Sequence, residues 1–325
     1  MAPSQIPTGI LHYTQLDAAG VLWRQRAAAV HDRDLVPLHH GWYADADTWR
    51  AAYPEGRHRH RVLAVSRAMR GDTGVFSHES AAVLWGLPLY RHEPDRVQTT
   101  LRGGAHVRSG PGVFRHRDRL VDEDIVHHGG LTFTSLARTV VDVARVTPPE
   151  TAIAAADASL RLVAWCESNR AYDEGAAEAF RHELSRRAGR MTGRRGIRQA
   201  RWVIEHADGR AQLPGESVSR LQLIRLGFSA IRLQVPIHVA GRSYAVDFGL
   251  DEVRAWGEFD GESKYVDPEL TRGRAALDVL RAEKEREDLI RAATGRPIAR
   301  WGFEHLGSAA SLASRLARYG IRPPS

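Results

Sequence analysis

Residues 244–264 read Tyr-Ala-Val-Asp-Phe-Gly-Leu-Asp-Glu-Val-Arg-Ala-Trp-Gly-Glu-Phe-Asp-Gly-Glu-Ser-Lys. Tyr244, Val246 and Phe248 alternate with Ala245 and Asp247, which is the period of a strand. Gly249 to Glu252 is a polar turn. Val253, Ala255, Gly257 and Phe259 then share one face of a second strand, with Arg254, Trp256, Glu258 and Asp260 on the other. A hairpin of this kind is expected to set Asp247, Glu258 and Asp260 side by side. Carboxylates held that closely repel, and their pKa values rise unless a cation sits among them. Hard oxygen donors in this arrangement suit Mg²⁺ (or Mn²⁺), which takes one or two carboxylates plus water and phosphate. The plainer reading is a row of solvated acids on the outer face of the hairpin. Trp256 on the carboxylate face argues against it.

The flanking sequence extends the pattern. Pro214-Gly215-Glu216-Ser217 opens a helix that stops at Gly227, and Leu233 to Val239 alternates as a strand. After the hairpin, Arg274 to Ala293 reads as a long helix ended by Gly295, and Ile298 to Trp301 returns as a strand. The order helix, strand, strand, strand, helix, strand predicts an αβββαβ core. Along the long helix, Ala276, Leu280 and Ile290 mark one face. At 100° per residue Glu283 and Glu287 fall on that face, with Lys284 at its edge. Inward acids are costly unless paired or functional, and a bond from Glu287 to Arg291 serves as well as a place beside a site. Glu216, in a first helical turn, is favoured there by the helix dipole and stands one turn from Arg220.

Asp247 followed ten residues later by Glu258-Phe259-Asp260 resembles the core of the PD-(D/E)xK nucleases. The fuller string Glu258-Phe259-Asp260-Gly261, then Lys264-Tyr265, is similar to the very-short-patch-repair-like branch of that superfamily. Glu283-Lys284-Glu285-Arg286-Glu287-Asp288 resembles the helix bordering its active site, and the likeness spans about 210–307. The resemblance implies Mg²⁺-dependent phosphodiester hydrolysis, with Asp247 and Glu258 as metal ligands, Glu216 completing the set, and a lysine as the third motif residue. Here Asp260 stands at the lysine position, so Lys264 or Lys284 is left to supply the positive group.

The rest of the chain is read as a soluble, multidomain α+β or α/β protein. Of its 325 residues 26% are charged and 43% hydrophobic, and no apolar run reaches the ~20 residues of a membrane span. The opening residues lack a cationic start followed by an apolar core, so no signal peptide is expected. A single cysteine, Cys166, allows no internal disulfide and fits a reducing cytoplasm. The basic residues behind the net charge of +7 are nearly all arginine, whose planar fork matches phosphate, so a polyanion is the expected partner. The 16 histidines form no zinc pattern.

Within 8–55, a short helix capped by Thr14 runs from Gln15 to Ala19 and stops at Gly20. A second helix covers Leu22 to Asp32, and Leu35 to Tyr43 forms a hairpin around Gly41. This is the order of a winged helix-turn-helix, and Arg24, Gln25 and Arg26 on its second helix are residue types that contact phosphates or base edges. Residues 56–146 read as a mixed block: a helix over Arg61 to Met69, a helix capped by Ser77 and ending at Gly86-Leu87-Pro88, strands over 96–100, 113–117 and 131–133, and a helix from Ser135 to Val146. Thr14 to Tyr43, Ser77-His78-Glu79-Ser80-Ala81-Ala82 and Thr134-Ser135-Leu136-Ala137-Arg138-Thr139-Val140-Val141-Asp142 resemble the abortive-infection type IV antitoxin family, which implies a winged-helix DNA-binding module and a toxin partner. Arg138 and Asp142 also read as an i,i+4 pair. Residues 147–208 form an Ala-rich helical bridge with Asp157 near its small-residue face. Arg194, Arg195 and Arg198 lie in an acid-free run suited either to phosphate contact or to a solvated helix entry. Two functions follow as expectations: a DNA endonuclease in phage defence or repair, or a non-catalytic antitoxin-like regulator with a decayed nuclease fold.

Overall fold

Left-handed glycines punctuate the N-terminal segment. Strand β1 (Ile10–His12) leads into helix α1 (Tyr13–Ala18), which stops at Gly20, φ +81°. Helix α2 (Trp23–His31) follows, then the hairpin β2 (Leu35–His39) and β3 (Trp42–Asp45) around Gly41, φ +71°. A side chain at Gly41 would also press on the Tyr13 ring. β1 adds to the free edge of β3, giving the order β1-β3-β2. Leu11, Leu16, Val21, Ala29 and Leu35 close a small core beneath it. The expected Thr14 cap is corrected: His12 occupies the N-cap and Thr14 lies inside the helix, its hydroxyl 2.8 Å from His12 Nδ1.

Asp45 caps α3 (Ala46–Ala51) by accepting from the amides of Asp47 and Thr48, and Pro54 starts α4 (Pro54–Ala68) at a position where a missing N–H costs nothing. Next come β4 (Val75–Phe76), α5 (His78–Leu84), β5 (Val97–Thr100), β6 (Val113–His116), β7 (Ile125–His128), β8 (Leu131–Thr134) and α6 (Leu136–Val146). The strands form one mixed sheet in the order β6-β5-β4-β8-β7. Ser77 stands at the N-cap of α5 but makes no cap bond; its hydroxyl accepts from Thr100 Oγ1 instead, which corrects the expected role. Ser135 does cap α6. The expected Arg138–Asp142 pair forms, with Nε 2.8 Å from the carboxylate, and Arg138 also reaches Asp118 at 2.9 Å and Asp124 at 3.2 Å.

Helix α7 (Pro149–Ala164) is followed by a short hairpin, β9 (Trp165–Cys166) and β10 (Ala171–Tyr172), and by α8 (Glu174–Arg190) and α9 (Ile197–His206). Then α10 (Pro214–Arg225), β11 (Ile231–Val239), β12 (Arg242–Leu250), β13 (Ala255–Phe259), α11 (Arg274–Thr294), β14 (Ile298–Trp301) and α12 (Ala309–Ala317) complete the chain. The second large sheet has the order β11-β12-β13-β14, antiparallel except for the β13–β14 pair.

The computed structural model describes residues 9–69, 74–101, 108–239, 241–261 and 274–324, the side chains of 274–282 excepted. Among them are twelve α-helices and several sheets, a multidomain α+β protein. They divide into two compact units. One holds the residues up to Ala155 together with Glu178–Glu205; the other holds Ala156–Ala177 together with the residues from His206 onward. Residues 147–208, read from sequence as one bridge, are therefore shared between the units.

In the second unit the sheet is packed on both faces. Val235, Ile237, Val246, Trp256 and Ile298 cluster with Ile290 of α11. On the other face Phe248 lies against Trp301, whose indole N–H bonds Ser219 of α10 at 2.8 Å, and Phe259 covers Gly215 of the same helix. Gly257 sits beneath the Trp301 ring, where a Cβ would be well inside van der Waals contact. Gly257→Ala is expected to destabilise the second unit by about 1–3 kcal/mol, the usual cost of overpacking a closed core, read as a lowered midpoint of thermal unfolding. An unchanged midpoint would show that this face is loosely packed.

Candidate functional site

In a regular strand Val246 and Phe248 would share a face. Here they pack on opposite faces, Val246 towards α11 and Phe248 towards Trp301 and α10. The switch falls at Asp247. Its neighbour across β11 is Gln234, whose φ is +50°, and the β11–β12 register runs from Leu233↔Phe248 to Val235↔Val246 on either side of them.

The side chains at the switch are bonded together. Asp247 Oδ2 accepts from the Phe259 amide at 2.8 Å, taking up an N–H at the end of β13. Gln234 Nε2 donates to Asp247 Oδ1 at 3.2 Å and to Glu216 Oε2 at 3.0 Å. Glu216, 3% exposed in the first turn of α10, also accepts from the Gln212 amide at 2.9 Å. Two carboxylates thus converge on one amide nitrogen. Burial pushes the Glu216 carboxyl up to about 7, and the adjacent Asp247 charge adds to the rise. The anticipated Glu216–Arg220 pair does not form. Arg220 instead forms a buried ion pair with Asp157, its Nη2 donating to both carboxylate oxygens at 2.8 and 2.9 Å, so that Asp157 is a structural acid.

Glu258 belongs to a different set. It is the parallel-register partner of Arg300 and faces α11. Arg300 Nη2 lies 3.0 Å and Arg286 Nη2 2.7 Å from its carboxylate. Arg300 also reaches Glu283 at 3.7 Å and Glu287 at 3.5 Å, and the charge of Asp260 acts on it as well. The expectation that Asp247, Glu258 and Asp260 stand together is corrected: the face switch sends Glu258 to the α11 side, while Asp247 joins Glu216 on the α10 side. Among the described residues no group of three or more His, Cys, Asp or Glu is placed to hold a metal ion.

Lys284, one of the two lysines expected near the acids, is not turned towards them. Lys284 is exposed on α11, and the half-buried positions around it are Glu283, Arg286 and Glu287. The pairing of Glu287 with Arg291 is present. Lys264 lies outside the described residues. Gln234, Arg286 and Arg300 escaped the sequence reading. Arg300 alternates with the buried Ala299 and Trp301, a signal that its side chain leaves the sheet on the Glu258 face.

In the first unit Arg24 is exposed beside Trp23, itself 66% exposed, with the guanidinium 5.4 Å from the ring centroid. Gln25 accepts from the Leu22 amide at 2.8 Å. Arg26 is turned back onto Asp17 and the Val21 carbonyl, at 3.2 Å from the latter. Gln25 and Arg26 thus support the turn between α1 and α2. Arg194, Arg195 and Arg198 are all exposed, with Arg194 3.4 Å from Asp118.

No family model matches the chain. Among curated relatives, the uncharacterized proteins Rv2248 and MT2308 of Mycobacterium tuberculosis are each 30% identical to it over 207 residues, 63% of this chain and 69% of theirs. The chain belongs to the family of these two mycobacterial proteins. Their names specify no activity.

The raised Glu216 carboxyl has a consequence for stability. A group whose folded pKa lies above its unfolded value, here about 7 against 4.5, adds stability that is complete below 4.5 and is lost as the pH rises through 7. In metal-free buffer the second unit is expected to lose up to about 3 kcal/mol between pH 4.5 and 8 through this group. Glu216→Gln should flatten that dependence and be the more stable protein at pH 8. Parallel pH profiles of unfolding for both proteins would show that Glu216 is not the strained acid.

Proposed function

We propose that the chain is a metal-dependent DNA endonuclease whose metal end is the Glu216–Asp247 pair. The observation that carries this reading is the convergence of those two carboxylates on Gln234, at the open end of β13. The order α10-β11-β12-β13-α11-β14 and the string Glu258-Phe259-Asp260-Gly261 support it, since both resemble the very-short-patch-repair-like nucleases. Two carboxylates, one of them raised by burial and further by the other's charge, fit Mg²⁺ or Mn²⁺ as a donor set. A bound ion would supply Lewis acidity towards a phosphodiester oxygen. The chain's own residues do the rest: Gln234 orients both carboxylates, and the Phe259 amide fixes the Asp247 rotamer. Glu258, held by Arg286 and Arg300, serves as the post that anchors α11 to the sheet. The β1-α1-α2-β2-β3 segment would act as a winged-helix DNA reader, with Arg24 and Trp23 at its exposed face. No helix among the described residues is long and apolar enough to cross a membrane.

A second reading has its own support. Glu258 is neutralised by two arginines and Lys284 points to solvent, as in a nuclease fold retained for binding alone. On that reading the chain is an antitoxin-like DNA-binding regulator with a toxin partner.

Asp247→Asn removes a charge with little change in volume. It is expected to abolish Mg²⁺-dependent nicking of supercoiled DNA, and to abolish the rise in thermal midpoint that Mg²⁺ gives the parent protein at pH 8. Undiminished nicking by the variant would remove Asp247 from the chemistry. A parent protein that binds duplex DNA but cleaves nothing with any divalent metal would favour the regulator. On either reading Arg24→Ala should weaken duplex binding and lower the slope of log affinity against log salt by about 0.9, the share of one phosphate contact. An unaltered slope would move the DNA-reading surface elsewhere.

A further inference from the structure

A groove of about 810 Å³ opens in the second unit, and Gln212 and Gln234, the two residues that bond Glu216, form one end of it. Its other walls come from α7, the β9–β10 hairpin, the turn after α9 and the strands β11 and β12. Trp165 and Tyr172 are directly paired across that hairpin. The guanidinium of Arg161 lies 4.3 Å from the Trp165 ring centroid, and that of Arg210 lies 4.8 Å from that of Tyr172. One wall of the groove therefore sets cations against aromatic rings, the facing strands add Ile231, Leu233, Val235 and Pro236, and Gln212 and Gln234 connect it to Glu216.

Its cations are not equivalent. Arg210 is paired with Asp208 and Glu174, and Arg232 with Asp251. Arg161 differs: its Nη1 is buried from solvent and has no hydrogen-bond partner. A buried guanidinium donor left unmade costs about 1–3 kcal/mol or more. The Arg161 side chain also lines the groove, so an anion entering there meets a guanidinium that no carboxylate has yet neutralised. The charge of Arg161 also reaches Glu216 and opposes the rise in its pKa, so the two lie close enough to act on one group. Gly209 keeps the wall tight, because its Cα passes so near α7 that a Cβ would stand 2.6 Å from the Arg161 amide nitrogen.

We propose that this groove takes a single strand of DNA, with one phosphate on Arg161 and bases stacked beside Trp165 and Tyr172. The chemistry is that of single-strand sites in general, a basic track with aromatic platforms. The volume lies within the range of small-ligand clefts, about 300–1,000 Å³, and accommodates a few unstacked nucleotides rather than a stacked duplex. The inference deepens the nuclease reading and rests on it for the fate of the strand: it makes Arg161 a positioning residue that presents a phosphate to the Glu216–Asp247 end. Binding itself requires no metal and is tested without one.

The test is fluorescence anisotropy of a labelled twelve-nucleotide oligothymidylate with the full-length protein in EDTA, against a duplex of the same length. Arg161→Gln and Trp165→Ala should each weaken oligothymidylate binding at least tenfold and leave the duplex affinity within twofold, with thermal midpoints like the parent's. Arg161→Lys should recover part of the loss. Arg161→Gln should also lower the salt slope by about 0.7, the value for one phosphate on a single strand, an effect that a merely structural arginine would not produce. Parent-like binding of the oligothymidylate by folded Arg161→Gln and Trp165→Ala would overturn the proposal. So would an equal loss of single-strand and duplex binding. Selective loss in a protein that cleaves no DNA would still support the strand groove while removing the nuclease reading.

Discussion

The second unit turns on one hydrogen bond, from the Phe259 amide to the Asp247 carboxylate. A four-stranded sheet that must fill both faces meets a geometric problem where Val246 is needed against α11 and Phe248 against α10. Strand periodicity forbids both unless the backbone breaks stride. The break is taken opposite Gln234, which enters the left-handed region, a conformation uncommon for a residue with a side chain. A break of this kind leaves an amide without a ladder partner, and a buried orphan N–H is as damaging as a lost core contact. Asp247 supplies the acceptor. The acid is therefore required by the sheet before any chemistry is asked of it, and its position beside Glu216 follows from the same switch.

That constraint also explains which features the sequence reveals. The alternation of Tyr244, Val246 and Phe248, the proline at the start of α10 and the glycines around α1 and α2 are local signals, and the elements they announce are present. β1 and β4, three and two residues long, are too short to show a period, and they exist because β3 and β5 offer them an edge. The grouping of carboxylates is not legible in the sequence because the strand changes parity at residue 247. Gln234 gives no warning of its φ, as a glycine would. Helical periodicity assigns faces but not depth: Lys284 is exposed, and Glu283, Arg286 and Glu287 beside it are half-buried. Arg161 carries no motif at all. Its meaning comes from the groove, whose opposite wall is more than fifty residues away in sequence.

The first unit treats charge in a different way. Arg138, 3% exposed, is surrounded by Asp118, Asp124 and Asp142, and Arg145 and Arg187 share those partners. In that cluster cations and anions are matched at hydrogen-bonding distance. Such clusters fix geometry: their net contribution to stability is small, but removing one member strands several charges. In the second unit, Glu258 with Arg286 and Arg300 follows the same matched pattern. In the Glu216–Asp247 pair two acids meet across one amide, that of Gln234.

Residues 156–177 belong to the second unit although the first resumes at 178. Asp157 therefore leaves the ribosome 63 residues ahead of Arg220, the arginine that makes its carboxylate tolerable in the interior. At about 5–20 residues per second, that is an interval of several seconds in which α8 and α9 are already synthesised. During it Asp157 and Arg161 must wait in water. The second unit thus closes only after residue 220 is made, and a polypeptide arrested before it has a bare acid on α7 where its interior should begin.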